Sequence, residues 1–449
     1  MSRRQVLAVG GTGLLAATAS ASRAAARTRK ARAAVGDGTP EQIHLTWGEN
    51  PATSVVVSWA SPEPATRPRV RIGQRVIPGQ PRHYSDGING ETVWTYHSRV
   101  DGLRPGATYA YMVTADNDSN AADPFTATFR TAPHGRTAFR FTLDLATPST
   151  ASLLSYGQSA YAVDAVESFQ PLFHLLNGDL CYADLNPAVQ PEVWRDFGNN
   201  NQTSAANRPW MPCLGNHEVE FGNGAQGFTS YLTRYTLPAN QMPGFDGRWY
   251  SFRVGSVLFV SLDADDVVYQ DAGAFVAGPA ALTPAASTGN PAIEPGTSFY
   301  VKGYSGGAQT AWLERTLAVA RRDDSIDWII VQMHQCACSS SATGNGSDLG
   351  IRQQWLPLFD QYQVDLVLNG HAGQDAIWSA KRDTSTGYGI AVFDVNPDPE
   401  DFGGHTSITV THYHAVGADP VNPTTGAKGV PTPDYTEFET FTLVRPRSA

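Results

Sequence analysis

Leu172-Phe-His-Leu-Leu-Asn-Gly-Asp179 is an apolar run that stops abruptly on a glycine and a carboxylate. The pattern recurs. Trp210-Met-Pro-Cys-Leu-Gly-Asn216-His217, Trp328-Ile-Ile-Val-Gln-Met-His334 and Val364-Asp-Leu-Val-Leu-Asn-Gly-His371 end the same way, and Phe139-Arg-Phe-Thr-Leu-Asp144 ends on a carboxylate. Four to eight apolar residues closed by a turn read as a short buried strand that delivers its last side chain to the rim of a sheet. Packing explains one such run. Five that converge on oxygen and imidazole donors predict a metal centre carried at one end of an α/β sheet.

The rest of the chain fits around these strands. At 449 residues it is too long for one ordinary core, and 41% hydrophobic content with 10 Trp supports folded domains. Residues 38–133 read as an all-β sandwich. Ile43-His-Leu-Thr-Trp47 and Val55-Val-Val-Ser-Trp59 alternate, Leu103-Arg-Pro-Gly-Ala-Thr-Tyr109-Ala-Tyr111 is a turn feeding a strand, and Thr126-Ala-Thr-Phe-Arg-Thr131 closes the set. Residues 137–446 alternate strands and helices. Trp312, Leu313, Leu317 and Ala320 share one helical face ahead of the Trp328 strand, and Gln353–Tyr362 behaves similarly before the Val364 strand. Later β segments are read at 387–394, 407–412 and 436–443, and 271–297 as an irregular surface insertion. Asp263, Asp265 and Asp266 read as a polar turn, and His412 and His414 as packed or solvated histidines on one strand face.

The formal charge is −10, and the seven basic residues of the first 34, which hold no acid, leave the body at −17. Such a body argues against nucleic acid or an anionic membrane as partner and allows a small phosphorylated substrate where a cation reverses the local field. Ser2-Arg3-Arg4-Gln5-Val6-Leu7 and the Gly/Ala/Leu stretch behind it read as a twin-arginine export signal over residues 1–34, which predicts a secreted protein with no membrane segment in the mature form. Cys181, Cys213, Cys336 and Cys338 lie beside the strand-end motifs. Disulfides formed after export, buried thiols and thiolate ligation all remain open.

In order, Asp144, Gly178-Asp179-Leu-Cys-Tyr182, Gly215-Asn216-His217-Glu218, Val331-Gln-Met-His334 and Gly370-His371 resemble the calcineurin-like metallophosphoesterases. Tyr182 and the preceding sandwich, which is similar to a fibronectin type III module, narrow the resemblance to the purple acid phosphatases. It implies a layered β-sandwich flanked by helices and a binuclear centre, ferric iron paired with zinc, manganese or ferrous iron. Asp179 would bridge, Asp144 and Tyr182 would sit on the first metal, and Asn216, His334 and His371 on the second. His217 would be catalytic, steadying the phosphate and its leaving oxygen. The implied reaction is acid phosphatase chemistry, hydrolysis of phosphate monoesters by attack of metal-bound hydroxide. A phosphodiesterase or phospholipase-type activity on the same scaffold is the alternative. The chain departs from the family at Gly373, where the Gly-His-x-His motif has its second His, and the Gly387 strand follows sooner than in family members. The departure leaves the first-metal site one ligand short. The expectation is a second metal bound normally and a first bound weakly, or else a weakened or inactive exported binding protein.

Overall fold

The computed structural model describes residues 38–116, 124–145, 159–220, 222–268, 303–337, 348–371, 389–400, 402–416 and 434–447. Residues 1–34, expected to be an export signal, Gly373, Cys338 and the 271–297 segment lie outside them.

The first strands build two antiparallel four-stranded sheets. β1 (Glu41–Trp47), β2 (Val55–Ser61), β6 (Thr92–Val100) and β5 (Gln80–Ser85) form one, in the order β1-β2-β6-β5. β4 (Arg75–Pro78), β3 (Thr66–Ile72), β7 (Thr108–Asp116) and β8 (Phe125–Arg130) form the other, in the order β4-β3-β7-β8. Alternation decides this. Val57, Trp59, Val70, Tyr96, Tyr111, Val113 and Phe129 all turn into one core between the sheets. Burying an aromatic or branched side chain there contributes about 1.5–3 kcal/mol. Before β7 the Leu-Arg-Pro-Gly turn needs Gly106 at φ +65°, and the Tyr109 hydroxyl accepts the Arg104 amide at 2.8 Å.

The second half stacks two further sheets. In the first, β9 (Phe139–Leu145), β10 (Phe173–Leu176) and β11 (Trp210–Pro212) run parallel, and β16 (Gly389–Asn396), β17 (His405–Val416) and β18 (Asp434–Pro446) continue antiparallel on the β9 side. In the second, β12 (Tyr250–Val254) pairs antiparallel with β13 (Val257–Ser261), and β13, β14 (Trp328–Met333) and β15 (Leu366–Asn369) run parallel. Phenylalanines join the sheets face to face. The Phe141 ring meets Phe259 edge-on at 5.2 Å and Phe173 meets Phe252 at 5.7 Å, while within the first sheet Phe393 stacks on its cross-strand partner Phe141 at 4.4 Å. Every residue of β14 is buried, as expected of a mostly apolar strand covered on both faces, and its one polar residue, Gln332, donates to the Met211 carbonyl at 3.0 Å.

Helices cover the outer faces. α1 (Ser159–Phe169), α2 (Gln190–Ala205) and α3 (Thr229–Arg234) share a core with β10, β11 and β16. α4 (Ala308–Ala320) buries Trp312, Leu313, Leu317 and Ala320 against the second sheet. The expected helix over 353–362 is instead two short ones, α5 (Leu349–Gln354) and α6 (Leu356–Gln361), broken at Trp355, where Pro357 enters the first turn of α6. The strand expected from Val364 begins at Leu366. Asp365 is drawn out to Arg321 at 2.5 Å and Arg445 at 2.6 Å.

The sandwich is seated on the second half through backbone groups. The Ile43 amide donates to Gln202 at 2.9 Å, the Tyr111 hydroxyl donates to the Ala206 carbonyl at 2.7 Å, and Trp47 enters the Phe141–Phe173 core. The buried Arg234 donates to the Tyr84 hydroxyl at 3.0 Å and lies over the Trp194 ring at 5.0 Å.

Candidate metal centre

The parallel strands of both sheets end at the same rim, and their last residues meet there. One ligand atom each from Asp179, His334 and His371 lies within 4.8 Å of the other two. Asp179 follows β10, His334 follows β14 and His371 follows β15. His334 Nε2 stands 2.8 Å from Asp179 Oδ2 and 3.1 Å from His371 Nδ1.

The tautomer of His334 is set by its other edge. Nδ1 lies 2.5 Å from the Asn177 carbonyl, which only accepts, so Nδ1 holds a hydrogen and Nε2 faces the carboxylate, as a lone pair open to a cation when the ring is neutral and as a donor to Asp179 when it is charged. Donor atoms therefore face one another. A hard oxygen with imidazole nitrogens is a set suited to iron, zinc or manganese. Asn216 Oδ1, on a residue only 2% exposed, is a buried acceptor without a hydrogen-bond partner. The neighbouring His217 amide donates to Asp179 Oδ1 at 2.9 Å, which brings the Asn216 turn to the same carboxylate. An orphaned buried oxygen beside converging lone pairs is a pattern that a cation satisfies.

The glycines of the motifs act through space. A Cβ on Gly215 would lie 2.4 Å from the Asp179 amide and 2.5 Å from Asp179 Oδ1. One on Gly370 would meet the Asn177 carbonyl at 2.5 Å and His334 Nδ1 at 2.9 Å, and one on Gly178 would press into the His334 ring at 2.8 Å. Asp179, Tyr182 and His371 take left-handed backbone, at φ 54°, 55° and 63°. That conformation costs about 1–3 kcal/mol at each non-glycine and persists where surrounding contacts enforce it.

Glu218 enforces it here. Its Oε2 accepts the Asp179 amide at 2.8 Å and the Gly215 amide at 2.7 Å, while Oε1 accepts the Leu180 amide at 2.6 Å. Along the chain Glu218 is only the last letter of the Gly-Asn-His-Glu motif, with no role of its own to be read from it. Asp184 was missed outright. It is 3% exposed, five residues after Asp179, and holds His217 Nδ1 at 2.8 Å. Burial opposes charge on His217, but Asp179 and the hydrogen-bonded Asp184 outweigh it and lift the ring to about 9. The only signal for Asp184 was a second acid in the Gly-Asp loop. Its partner depends on how that loop folds.

Tyr182 lies against this pair, its ring 4.4 Å from that of His217. Burial, with the charges of Asp179 and Glu218, holds its phenol well above the ordinary value. Burial works against the Asp179 charge, yet the facing imidazoles keep its carboxyl below the usual range. Of the residues expected at the site, Asp179, Tyr182, His217, His334 and His371 are thus assembled, with Asn216 beside them. For Asp144 only the backbone is described, at the end of β9 opposite Ile390. Its side chain, like Gly373, lies outside the described residues.

One reading changes. Asp263, Asp265 and Asp266 are not a solvated polar turn. They are at most 4% exposed, because the turn after β13 is roofed by Tyr304, Ser305 and Gln309, which donate to Asp263 and Asp266. His412 is packed, with burial pushing it down to about 4, while the His414 side chain lies outside the described residues. Cys181 and Cys213 are buried free thiols, and the Cys336 thiol donates to the Gly370 carbonyl at 3.5 Å. Among the described residues no helix is long and apolar enough to cross a membrane.

The pattern of the family described as "Calcineurin-like phosphoesterase" matches residues 134–374, and that of "Purple acid Phosphatase, N-terminal domain" matches residues 40–131. An uncharacterized protein of Mycobacterium tuberculosis is 34% identical over 504 aligned positions, which cover 90% of this chain and 87% of that protein. The Fe(3+)-Zn(2+) purple acid phosphatase 12 of Arabidopsis thaliana is 24% identical, across 75% of this chain and 64% of the plant protein. The phosphoenolpyruvate phosphatase of Allium cepa is 25% identical, across 74% and 62%. The chain therefore spans less than two thirds of these two plant relatives. The family implies a binuclear metal centre, and Asp179, His334 and His371 are the part of it that the described residues gather. On its two matched patterns and its bacterial relative, the chain belongs to the calcineurin-like phosphoesterase family, as a purple acid phosphatase-like member.

Proposed function

We propose that the protein is an exported metal-dependent acid phosphatase acting on small phosphate monoesters. The observation that carries this reading is the meeting of Asp179, His334 and His371 within 4.8 Å beside the Asp184–His217 pair. Asp179, Asn216, His334 and His371 would hold one cation, with Asp179 shared toward a second at Asp144 and Tyr182. When bound, such cations supply Lewis acidity, an acidified water and a clamp on the phosphoryl oxygens.

The chain's own groups supply the rest. His217 has Nδ1 committed to Asp184, so the proton it can give to a leaving oxygen is the one on Nε2. Asp184 fixes the ring's orientation and favours its charged form. Glu218 holds the Gly-Asp and Gly-Asn-His turns in register, so Asp179 and Asn216 approach one point. The body charge of −17 disfavours polyanionic partners such as nucleic acid. The twin-arginine leader supports export, a route that carries proteins already folded around their metals.

The departure at Gly373 weakens the first-metal site in this reading. Elemental analysis of purified protein, paired with release from nitrophenyl phosphate monoester and diester, tests it. Expected are one tightly held ion with a second that exchanges, faster release from the monoester, and loss of release in Asp179→Asn at saturating metal. Unchanged release by Asp179→Asn would place the activity elsewhere, and faster diester cleavage would favour a phosphodiesterase.

A further inference from the structure

We propose that Asp265 carries a proton and closes a carboxylic acid–amide ring with Gln335, and that this ring positions His334 in the metal centre. The second half rests on reading His334 as a ligand. Asp265 lies in the single helical turn after β13, is 0% exposed, and accepts the Gln335 side-chain amide on Oδ1 at 2.5 Å. Its other oxygen, Oδ2, is buried without a partner, and so is Gln335 Oε1.

These two atoms are the remaining arms of the planar groups that the one hydrogen bond joins. Both are acceptors, and a buried acceptor left unmet has given up its water for nothing. Turning the Gln335 amide over does not help, because it only exchanges which pair of oxygens is left facing. A proton on Oδ2 does help. It donates to Oε1, and both orphans are satisfied by one hydrogen.

The charges around Asp265 favour that state. Burial comes first, followed by Asp263 on the same turn, Asp179 on the Gly-Asp loop and Glu218 on the Gly-Asn-His-Glu turn, and all push its carboxyl well above the usual range. The Gln335 hydrogen bond alone works the other way. Asp263 and Asp266 are not in the same position, since Tyr304, Ser305 and Gln309 satisfy their oxygens.

Gln335 directly follows His334. Its carbonyl accepts the Asn369 side chain at 2.9 Å, and the His334 carbonyl accepts the Gly370 amide at 2.9 Å. Those bonds hold the segment on the β15 side. The Asp265 ring holds it on the β13 side, so the imidazole leaves β14 at a set angle. If the proton is lost, two unpaired oxygens and a buried charge face Gln335, and that anchor opens.

Asp265→Asn tests the proposal because an amide keeps both hydrogen bonds of the ring and cannot ionise. Infrared difference spectra of wild type against Asp265→Asn at neutral pH should contain a protonated-carboxyl C=O stretch, with or without metal. Finding only carboxylate bands would overturn the ring. Zinc retention after dialysis, followed by elemental analysis across pH, tests positioning. Wild type should lose zinc as pH rises into the alkaline range, Asp265→Asn should not, and Gln335→Leu should bind about tenfold more weakly than wild type at neutral pH, the two converging as the pH becomes alkaline. Identical pH curves for wild type and Asp265→Asn would overturn the positioning role. Zinc absent from wild type while the C=O stretch is present would instead overturn the metal reading and leave the ring standing.

Discussion

Gly215→Ala should damage the centre without altering any donor. The backbone at Gly215 is ordinary, at φ −122°, so the methyl group brings no torsional strain. It brings collision. The added carbon would lie 2.4 Å from the Asp179 amide, 2.5 Å from Asp179 Oδ1 and 3.0 Å from His334 Cδ2. Two of these atoms belong to a turn already fixed by Glu218, so the carboxylate has to move. Overpacking of this kind costs about 1–3 kcal/mol, and at about 2–4 °C per kcal/mol in a large domain the melting temperature should fall by several degrees. The larger effect should be on metal, because the Asp179–His334 approach of 2.8 Å cannot be kept. A loss of roughly 10- to 100-fold in affinity is expected, the range seen when a ligand's support is removed. Competitive titration with a chromophoric chelator measures it. Gly403→Ala, where nothing lies within 4 Å, is the matched control and should change neither quantity. Gly215→Ala that binds metal like wild type would refute the argument that this close approach builds the site.

Three further outcomes are expected. Asp184→Asn should leave metal content unchanged and lower kcat by roughly a hundredfold, because His217 loses the partner that orients and charges it; metal analysis with steady-state kinetics separates these effects. Chelation should lower the melting temperature of wild type but not of His334→Ala, since only a chain that binds the ion gains from it; at a free ion concentration a hundred times Kd the gain is about 2.7 kcal/mol. The third concerns acid. His97 is buried, its Nδ1 2.8 Å from the Ser58 hydroxyl and its Nε2 3.0 Å from the Thr233 carbonyl, and burial with the nearby Arg82 pushes it down to about 3. Above about pH 6.5 it is neutral folded and unfolded, and contributes no pH dependence. As pH falls from about 6.5 toward 3, only the unfolded chain takes the proton, so stability should drop by up to about 1.4 kcal/mol per unit. Urea unfolding at several pH values should trace this fall, and His97→Gln should flatten it.

Much of the site was legible in the sequence because its donors end strands. Asp179, Asn216 and His371 each follow an apolar run and a glycine, His334 follows its run directly, and a parallel sheet sends all such ends to one rim. Periodicity likewise located the buried face of α4 and the strands of the sandwich. The break at Trp355 was less visible, since the helical pattern continues through it and only Pro357 speaks against it.

What the sequence determined by itself is local: which segments are strands, which residues close them, and which glycines stand next to the donors. Only the tertiary structure decided the pairings made across hundreds of residues, Asp184 with His217, Asp265 with Gln335 and Arg234 with Tyr84. Three neighbouring aspartates look the same along the chain whether they face water or a protein interior. Their fate was decided by the Tyr304–Gln309 segment that folds over them, and a contact between distant segments leaves no period or spacing from which it could be read.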